Sequence, residues 1–347
     1  MPGSDVAEAR IPDRGMSPAS GDDEARAVAS QLRRERLLLL LRGQTLGALL
    51  VVLIVVFSLI APNFFSSDTF FLVGGVAAAM GIMAVAQTFL IIAGGIDVSV
   101  GGVVALSAVL TGVLVDHSVP VWWAAAIALL ASALLGGVNG FLAIKLKMSP
   151  LIVTLATLSL FTGLAYVLSG GDTLLISSDS FEFIGTGKVG PFPFQMVIFA
   201  VVLAIGYFYQ RFSIHGQQIY AIGGNVEAAR LSGIRVDAIP FVLYVLSGLS
   251  AGMAGLILTA QLASASPDVG SAFLLPVVTA VVLGGASLHG GLGSVIGTLV
   301  AVAILGVLQI GLSLLALSAY VQDMALGIVL LLALSLDQLM VKERSTS

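Results

Sequence analysis

Long apolar runs are the feature that most limits what this chain can fold into. Of its 347 residues, 58% are hydrophobic and only 10% are charged, whereas soluble domains carry about 25% charged residues. A helix of about 20 apolar residues crosses the hydrocarbon core of a bilayer, so runs of this length indicate membrane spans. The sequence therefore predicts an all-α, polytopic membrane protein that lies in the lipid bilayer.

Ten apolar runs are separated by polar residues or by glycine and proline. The predicted spans are 44–61, 70–93, 98–115, 121–144, 151–169, 194–210, 238–262, 273–285, 294–315 and 320–340. The 273–285 run is too short to cross a bilayer alone, so it either includes flanking residues or forms half of a broken helix. The transmembrane domain is thus predicted over 44–340. A disordered tail at 1–43 precedes it, and a short tail at 341–347 follows it.

The basic residues are unevenly distributed in this ten-span arrangement. If the N-terminus is cytoplasmic, every Lys and Arg except Lys188 falls on the cytoplasmic side. Since Lys and Arg concentrate in cytoplasmic loops, we expect both termini and both tails to be cytoplasmic. The formal charge of −4 is carried almost entirely by tails and loops, and nothing in this pattern indicates nucleic-acid binding.

Two zones interrupt apolar stretches with paired glycines. They are GGIDVSVGG at 94–102 and GGASLHGG at 284–291. Six predicted spans separate them, so both are expected on the same side of the membrane, and their similarity suggests an internal repeat. Interrupted helices in corresponding halves are typical of transport sites. The glycines that are candidates for a pathway or structural role are Gly94, Gly95, Gly284 and Gly285.

Asp97 is the one ionisable residue between positions 70 and 115. A carboxylate at membrane depth is costly unless it faces protein or water, which makes Asp97 a candidate site residue. The alternative, which we favour, is that Asp97 caps the third span with support from Ser99. Other polar residues in or near spans either bind a hydroxylated solute or bond between helices. They are Gln87, Asn139, Gln261, Gln309, Gln322 and Asp323.

The sequence offers little for catalysis. Residues Gly248–Gly252 (GLSAG) match the serine-hydrolase elbow, but they lie within an apolar helical run, where small-residue helix packing is the better interpretation. The chain has no cysteine, three scattered histidines and no Walker lysine. We therefore expect no enzyme activity, no metal site, no cofactor and no ATP hydrolysis by this chain.

The cytoplasmic loop at 220–237 is the most informative polar segment. Asn225 is suited to cap a short helix, Glu227–Leu231 are good helix formers, and Gly233 is a typical C-terminal stop. Such a helix offers a contact for a partner. From physical chemistry alone it is equally an ordinary amphipathic connector.

Together with AGGIDVSVG, GGVNGFLAIKLKMSPLIVTLATL and AVVLGGASLHGGLGSVIGTLVA, this loop resembles the permease family of ribose-type ABC importers over about 45–337. The resemblance implies that EAARLSGI forms a coupling helix on a cytoplasmic ATP-binding subunit with two nucleotide-binding halves. It also implies a second permease subunit, identical or paralogous, and an extracytoplasmic solute-binding protein. The positions implied in ATPase coupling are Asn225, Glu227, Ala228, Ala229, Leu231, Gly233 and Ile234.

Within that family, SASPDVGSAFLLPVVTAVVLGGASLHGGLGSVIGT is most similar to autoinducer-2 import permeases. Many ribose-type members have an acidic residue where this chain has Leu275 or Pro276, and a basic one where it has Leu292. We therefore expect a sugar-like solute, either a ribose-type monosaccharide or autoinducer-2, carried across the inner membrane. The alternative is an ion-coupled secondary transporter that uses Asp97 or Asp323.

Overall fold

Helices dominate the computed structural model, which describes residues 45–345 and the side chains up to residue 335. Among the described residues, six helices are long and apolar enough to cross a membrane. In chain order they are α2 (Ser67–Ile92), α4 (Val121–Gly140, continued by π-helical Phe141–Lys145), α5 (Pro150–Ser169), α7 (Phe194–Phe212), α10 (Ala238–Leu262) and α12 (Val295–Leu314). The chain is thus a multi-pass membrane protein.

Four further apolar helices complete the apolar set in the described part of the chain. They are α1 (Thr45–Ile60), α3 (Val100–Asp116), α11 (Leu274–Leu283) with the 3-10 turn Ser271–Phe273 before it, and α13 (Ala319–Ser345). Each of the ten predicted runs coincides with one helix, and six of these helices are long and apolar enough to cross a membrane over the residues whose side chains are described. Helix α13 is 27 residues long, but only Ala319–Ser335 belong to that part. That all ten cross the membrane therefore stays a prediction.

The remaining elements are short. Helices α6 (Asp179–Thr186), α8 (Ile214–Gly224) and α9 (Val226–Leu231) lie in the two longest connections. Strand β1 (Leu174–Leu175) pairs antiparallel with β4 (Ser264–Ala265), and β2 (Lys188–Val189) pairs antiparallel with β3 (Phe192–Pro193). The sequence interpretation contained no strands, because two-residue strands leave no alternating pattern to detect.

The structure describes part of only one of the two predicted tails. The tail predicted at 1–43 lies outside the described residues. At the other end α13 continues to Ser345, so helix covers most of the segment predicted as a second tail. The cytoplasmic location of both ends remains a prediction.

Helices α2, α3 and α10 form the centre of the fold. Most of α2 and α10 is buried, whereas only a small part of α7 is buried. Helix α10 packs against α2, α3 and α4, and α2 also contacts α7, α11 and α12. The outer faces of the peripheral helices carry large exposed apolar side chains, among them Leu59, Trp123, Leu134 and Val167. Such a surface is matched by lipid rather than by water.

The GLSAG segment is a helix-packing surface. A Cβ added at Gly248 on α10 would collide with the Ser132 carbonyl oxygen on α4, and one added at Gly136 on α4 would collide with the Tyr244 carbonyl oxygen on α10. Ser250 Oγ donates to the Ser247 carbonyl oxygen of its own helix at 2.8 Å. The two backbones approach closely because neither glycine has a side chain, as in other membrane helix pairs.

Candidate functional site

Asp97 lies on the non-helical segment between α2 and α3, and its side chain is fully buried. Its Oδ1 accepts hydrogen bonds from the Ser99 backbone N–H at 2.9 Å and from Ser99 Oγ at 2.6 Å. Its Oδ2 accepts from Ser247 Oγ on α10 at 2.8 Å. Three neutral donors therefore satisfy a carboxylate that has been removed from solvent.

Two further helices contribute to the same site. Asn139 on α4 donates from Nδ2 to Ser99 Oγ at 2.7 Å, and Tyr244 on α10 donates from its hydroxyl to the Ile96 carbonyl oxygen at 3.2 Å. Gln87 on α2 is buried, with its Oε1 lying 3.5 Å from Ser247 Oγ. We call this group the Asp97 cluster. Its members are Gln87, Asp97, Ser99, Asn139, Tyr244 and Ser247.

Two buried amide atoms of the Asp97 cluster have no hydrogen-bond partner among the described residues. They are Gln87 Nε2, a donor, and Asn139 Oδ1, an acceptor. A buried polar atom without a partner costs about 1–3 kcal/mol, so such atoms call for an explanation. A donor and an acceptor of this kind match a water molecule or a hydroxyl group.

Asp97 lies two residues before the N-cap position of α3, so its role as a helix cap stays a prediction. Its Oδ1 binds the N–H that immediately precedes α3, although the helix N-cap position itself is Ser99, whose side chain makes no capping bond to the helix. Asp323, the other acid considered for ion coupling, is exposed on α13. Any contact between the Asp97 cluster and a transported solute remains a prediction.

The two glycine-interrupted zones lie against each other. Gly291 donates its N–H to the carbonyl oxygen of Ile92, the last residue of α2, at 2.8 Å. A Cβ added at Gly290 would lie only 3.2 Å from Gly94 Cα. In the second zone, Gly284 packs against the backbone of Gly297 and Thr298 on α12. The interruptions therefore allow close backbone packing at this position.

Of the remaining polar candidates, Gln261 and Gln309 share a cavity. It has a volume of about 240 Å³ and lies between α2, α10, α11 and α12. Gly75, Met80, Phe273 and Pro276 also line it. Ligand pockets usually begin at roughly 300 Å³, so this cavity is small for a complete solute site. Gln322 lies apart from it, with its Nε2 donating to the Leu317 carbonyl oxygen at 3.1 Å.

The predicted short helix in the 220–237 loop is present as α9. Asn225 caps it by accepting from the Ala228 N–H at 3.0 Å, and Gly233 follows it with a φ of +80°. The side chain of Ala229 is buried, whereas Leu231 is 83% exposed. Helix α9 is thus anchored on one side and presents a large apolar side chain on the other.

Further apolar residues surround Ala229 and form the anchor of α9, by which we mean its buried side. Ile222 and Val236 are buried with Ala229, and Ile234 packs against them. On the opposite side, Glu227 and Arg230 form an exposed ion pair at 3.2 Å, and Ala228 is also exposed. The seven residues implied in coupling therefore divide between the anchor and the exposed surface.

Sequence reasoning missed four polar residues of structural importance. Tyr244 and Ser247 complete the Asp97 cluster, and their three-residue spacing on an apolar helix was an available signal. Gln210 and Tyr220 form a second polar group near α9, for which the sequence contains no comparable signal. Within the described residues, no three acidic or histidine side chains lie together as a metal site would require.

Comparison with known proteins identifies the family. The family model for "branched-chain amino acid transport system / permease component" matches residues 69–334. Ribose import permease protein RbsC of Haemophilus influenzae is 38% identical over 292 residues, which cover 83% of this chain and 90% of that protein. RbsC of Bacillus subtilis is 37% identical, covering 85% and 92%.

Autoinducer 2 import system permease protein LsrD of Escherichia coli is 35% identical over 310 residues, covering 86% of this chain and 94% of that protein. No solved structure matches the chain. The family match covers well over half of the chain, and these relatives align along most of their length. The chain therefore belongs to the permease-component family of transport proteins that this model describes.

Proposed function

We propose that this chain is the membrane-spanning permease subunit of an ABC importer that carries a sugar-like solute across the inner membrane. The names of the relatives supply the solute class, since RbsC is a ribose import permease and LsrD is part of an autoinducer-2 import system. The identities of 38% and 35% do not separate the two. The proposed solute is accordingly a ribose-type monosaccharide or autoinducer-2.

In the proposed topology all ten apolar helices cross the membrane and both termini are cytoplasmic. The distribution of Lys and Arg supports this orientation, with Lys188 as the exception. The glycine-interrupted zones and α9 then lie on the cytoplasmic side. Segment 170–193 lies outside, where an extracytoplasmic binding protein would deliver the solute.

The observation that carries the proposal is the exposed surface of α9. Leu231 is 83% exposed on a helix whose other side is anchored by Ala229. An exposed apolar side chain in a cytoplasmic loop is suited to bury itself in a groove of a partner. We propose that this partner is an ATP-binding subunit with two nucleotide-binding halves, one for each of two permease subunits.

The solute pathway is proposed to need the second permease subunit. The cavity that contains Gln261 and Gln309 is smaller than most ligand pockets. Two facing copies would enlarge the space and contribute further amides and small residues. Few charges along such a route suit a neutral solute that passes without tight capture.

The substitution Leu231→Asp tests the role of α9. We expect the purified permease to lose the ATP-binding subunit, because a carboxylate cannot enter an apolar groove without a large desolvation cost. Co-purification of the two subunits and ATP-dependent uptake in vesicles are the measurements. Leu175→Asp is a matched control, since Leu175 is 84% exposed in segment 170–193, and it should retain the ATP-binding subunit.

Two results would contradict the proposal. One is that Leu231→Asp retains both the ATP-binding subunit and uptake. The other is uptake driven by a proton gradient in vesicles that lack any ATPase, which would favour the ion-coupled alternative with Asp97 or Asp323.

A further inference from the structure

Two turns and the end of α8 meet beside the start of α9. They contain Gly94, the pair Gly223 and Gly224 at the end of α8, and the pair Gly290 and Gly291. A Cβ added at Gly223 would collide with the Ile92 carbonyl oxygen and the Gly291 nitrogen, and one added at Gly290 would lie 3.1 Å from Gly223 Cα. We call these five glycines the glycine junction. Its contacts are between backbones, with no flexible side chain to absorb a displacement.

The glycine junction connects α9 with both glycine-interrupted zones. Gly224 is followed directly by Asn225, the N-cap of α9. Gly94 and Gly290 have φ values of +83° and +85°, a conformation that glycine adopts without strain. Hinges of conformational change are a few loop or element-terminal residues that absorb large changes in φ and ψ. A shift of α9 would therefore displace neighbouring glycines whose φ and ψ angles can change without strain.

Two side chains hold the glycine junction to the start of α12. Gln210, near the end of α7, donates from Nε2 to the Tyr220 hydroxyl at 2.7 Å, and that hydroxyl donates to the Gly293 carbonyl oxygen at 2.6 Å. Gln210 Oε1 also accepts from the N–H of Val295, the first residue of α12, at 3.1 Å. Four segments, α7, α8, 284–294 and α12, are thereby tied by hydrogen bonds.

The Tyr220 hydroxyl retains its proton under ordinary conditions. Burial raises the pKa of this hydroxyl above its usual value of about 10. Tyr220 therefore remains able to donate to Gly293 throughout the physiological pH range.

We propose that Tyr220 and Gln210 are positioning residues that clamp the glycine junction to α12, so that movement of α9 reaches both glycine-interrupted zones together. This inference rests on the proposed function, in which α9 contacts the ATPase. In this proposal, motion of α9 is transmitted to the rest of the transmembrane domain through the glycine junction and its contacts with α12.

The substitution Tyr220→Phe tests the clamp, because it removes the hydroxyl and keeps the ring. The chain contains no cysteine, so His289→Cys beside Gly290 can report on the junction. The full chain with its ATPase in lipid nanodiscs is labelled with a small maleimide, with and without ATP. We expect ATP to change the labelling rate. Tyr220→Phe should reduce that change at least about fivefold, because it removes two hydrogen bonds and the loss of one alone accounts for a factor of about five.

Subunit association and basal ATP hydrolysis should remain as in the parent, and thermal stability should fall only slightly, as expected for lost hydrogen bonds in a protein that is still folded. This separates positioning from a general loss of structure. Tyr207→Phe, on the exposed part of α7, is the matched control and should leave the ATP effect unchanged. An undiminished ATP effect in Tyr220→Phe would overturn the clamp, and so would the absence of any ATP effect in an assembled parent complex. Failure of the parent chain to bind an ATPase would instead overturn the proposed function.

Discussion

At the scale of single residues, the burial of Asp97 is the central observation. Sequence reasoning left open whether Asp97 caps a helix or contacts the transported species. The structure surrounds its carboxylate with donors from Ser99 and Ser247. A side chain satisfied in this way resembles a structural anchor, because both its oxygens are already used by protein donors.

Asp97→Asn and Asp97→Ala distinguish these interpretations. If Asp97 is a structural anchor, the asparagine variant should retain much of the thermal stability and uptake, since its oxygen can still accept from Ser99. The alanine variant should be destabilised by more than about 2 kcal/mol, because each buried donor left without an acceptor costs about 1–3 kcal/mol. Thermal unfolding in detergent and vesicle uptake measure the two effects.

Ser247→Ala serves as a comparison, because it removes one donor and leaves the carboxylate in place. It should destabilise the protein by about 1.5–3 kcal/mol, the usual range for a hydrogen bond to a charged group. Abolished uptake in a fully stable Asp97→Asn protein would contradict the anchor interpretation and support an ion or solute contact.

At the scale of elements, the packing of α4 on α10 depends on individual glycines. Gly136 and Gly137 are neighbours on α4, but only Gly136 lies against the α10 backbone. A Cβ added at Gly137 would meet side-chain atoms no closer than 3.7 Å, which is ordinary contact. Adjacent positions in α4 therefore differ in whether they can accommodate a side chain.

We predict that Gly136→Ala destabilises the protein by about 1–3 kcal/mol, the usual cost of overpacking. Gly137→Ala should change stability by no more than about 1 kcal/mol and is expected to be neutral or stabilising, because alanine favours helix over glycine. Thermal stability of the purified protein, followed by size-exclusion chromatography, measures both. Equal losses in the two variants would contradict the packing explanation.

The elements themselves were largely predictable. Apolar runs located the helices, since a membrane requires long segments with internally satisfied backbones. Asn225 and Gly233 located α9, because capping is a local property. The strand pairing of β1 with β4 was not predictable, since Leu175 and its partner Ser264 are far apart in the sequence.

At the scale of the whole molecule, the proposed orientation can be tested by single-cysteine labelling. The native chain has no cysteine, so no background has to be removed. We predict that Ser177→Cys, in segment 170–193, reacts with a membrane-impermeant thiol reagent in intact cells. Ser232→Cys, just after α9, should react only after the cytoplasmic membrane is opened, because the Lys and Arg distribution places it inside.

Both residues should label equally after permeabilisation, which checks that each thiol is accessible. Labelling of Ser232→Cys in intact cells, or protection of Ser177→Cys, would overturn the proposed orientation. Because α9 would then face away from the cytoplasm, its proposed contact with an ATPase would fail as well.

The sequence by itself determined that this chain lies in a membrane, roughly where its helices run, and which family it resembles. These properties follow from composition, local capping and short motifs, all of which can be found along the chain. Only the tertiary structure decided which distant residues meet. Asn139 and Ser247 join the group around Asp97, and Gly290 lies against both Gly94 and Gly223. Helix packing brings these segments together, and their separation in sequence carries no information about their distance in space.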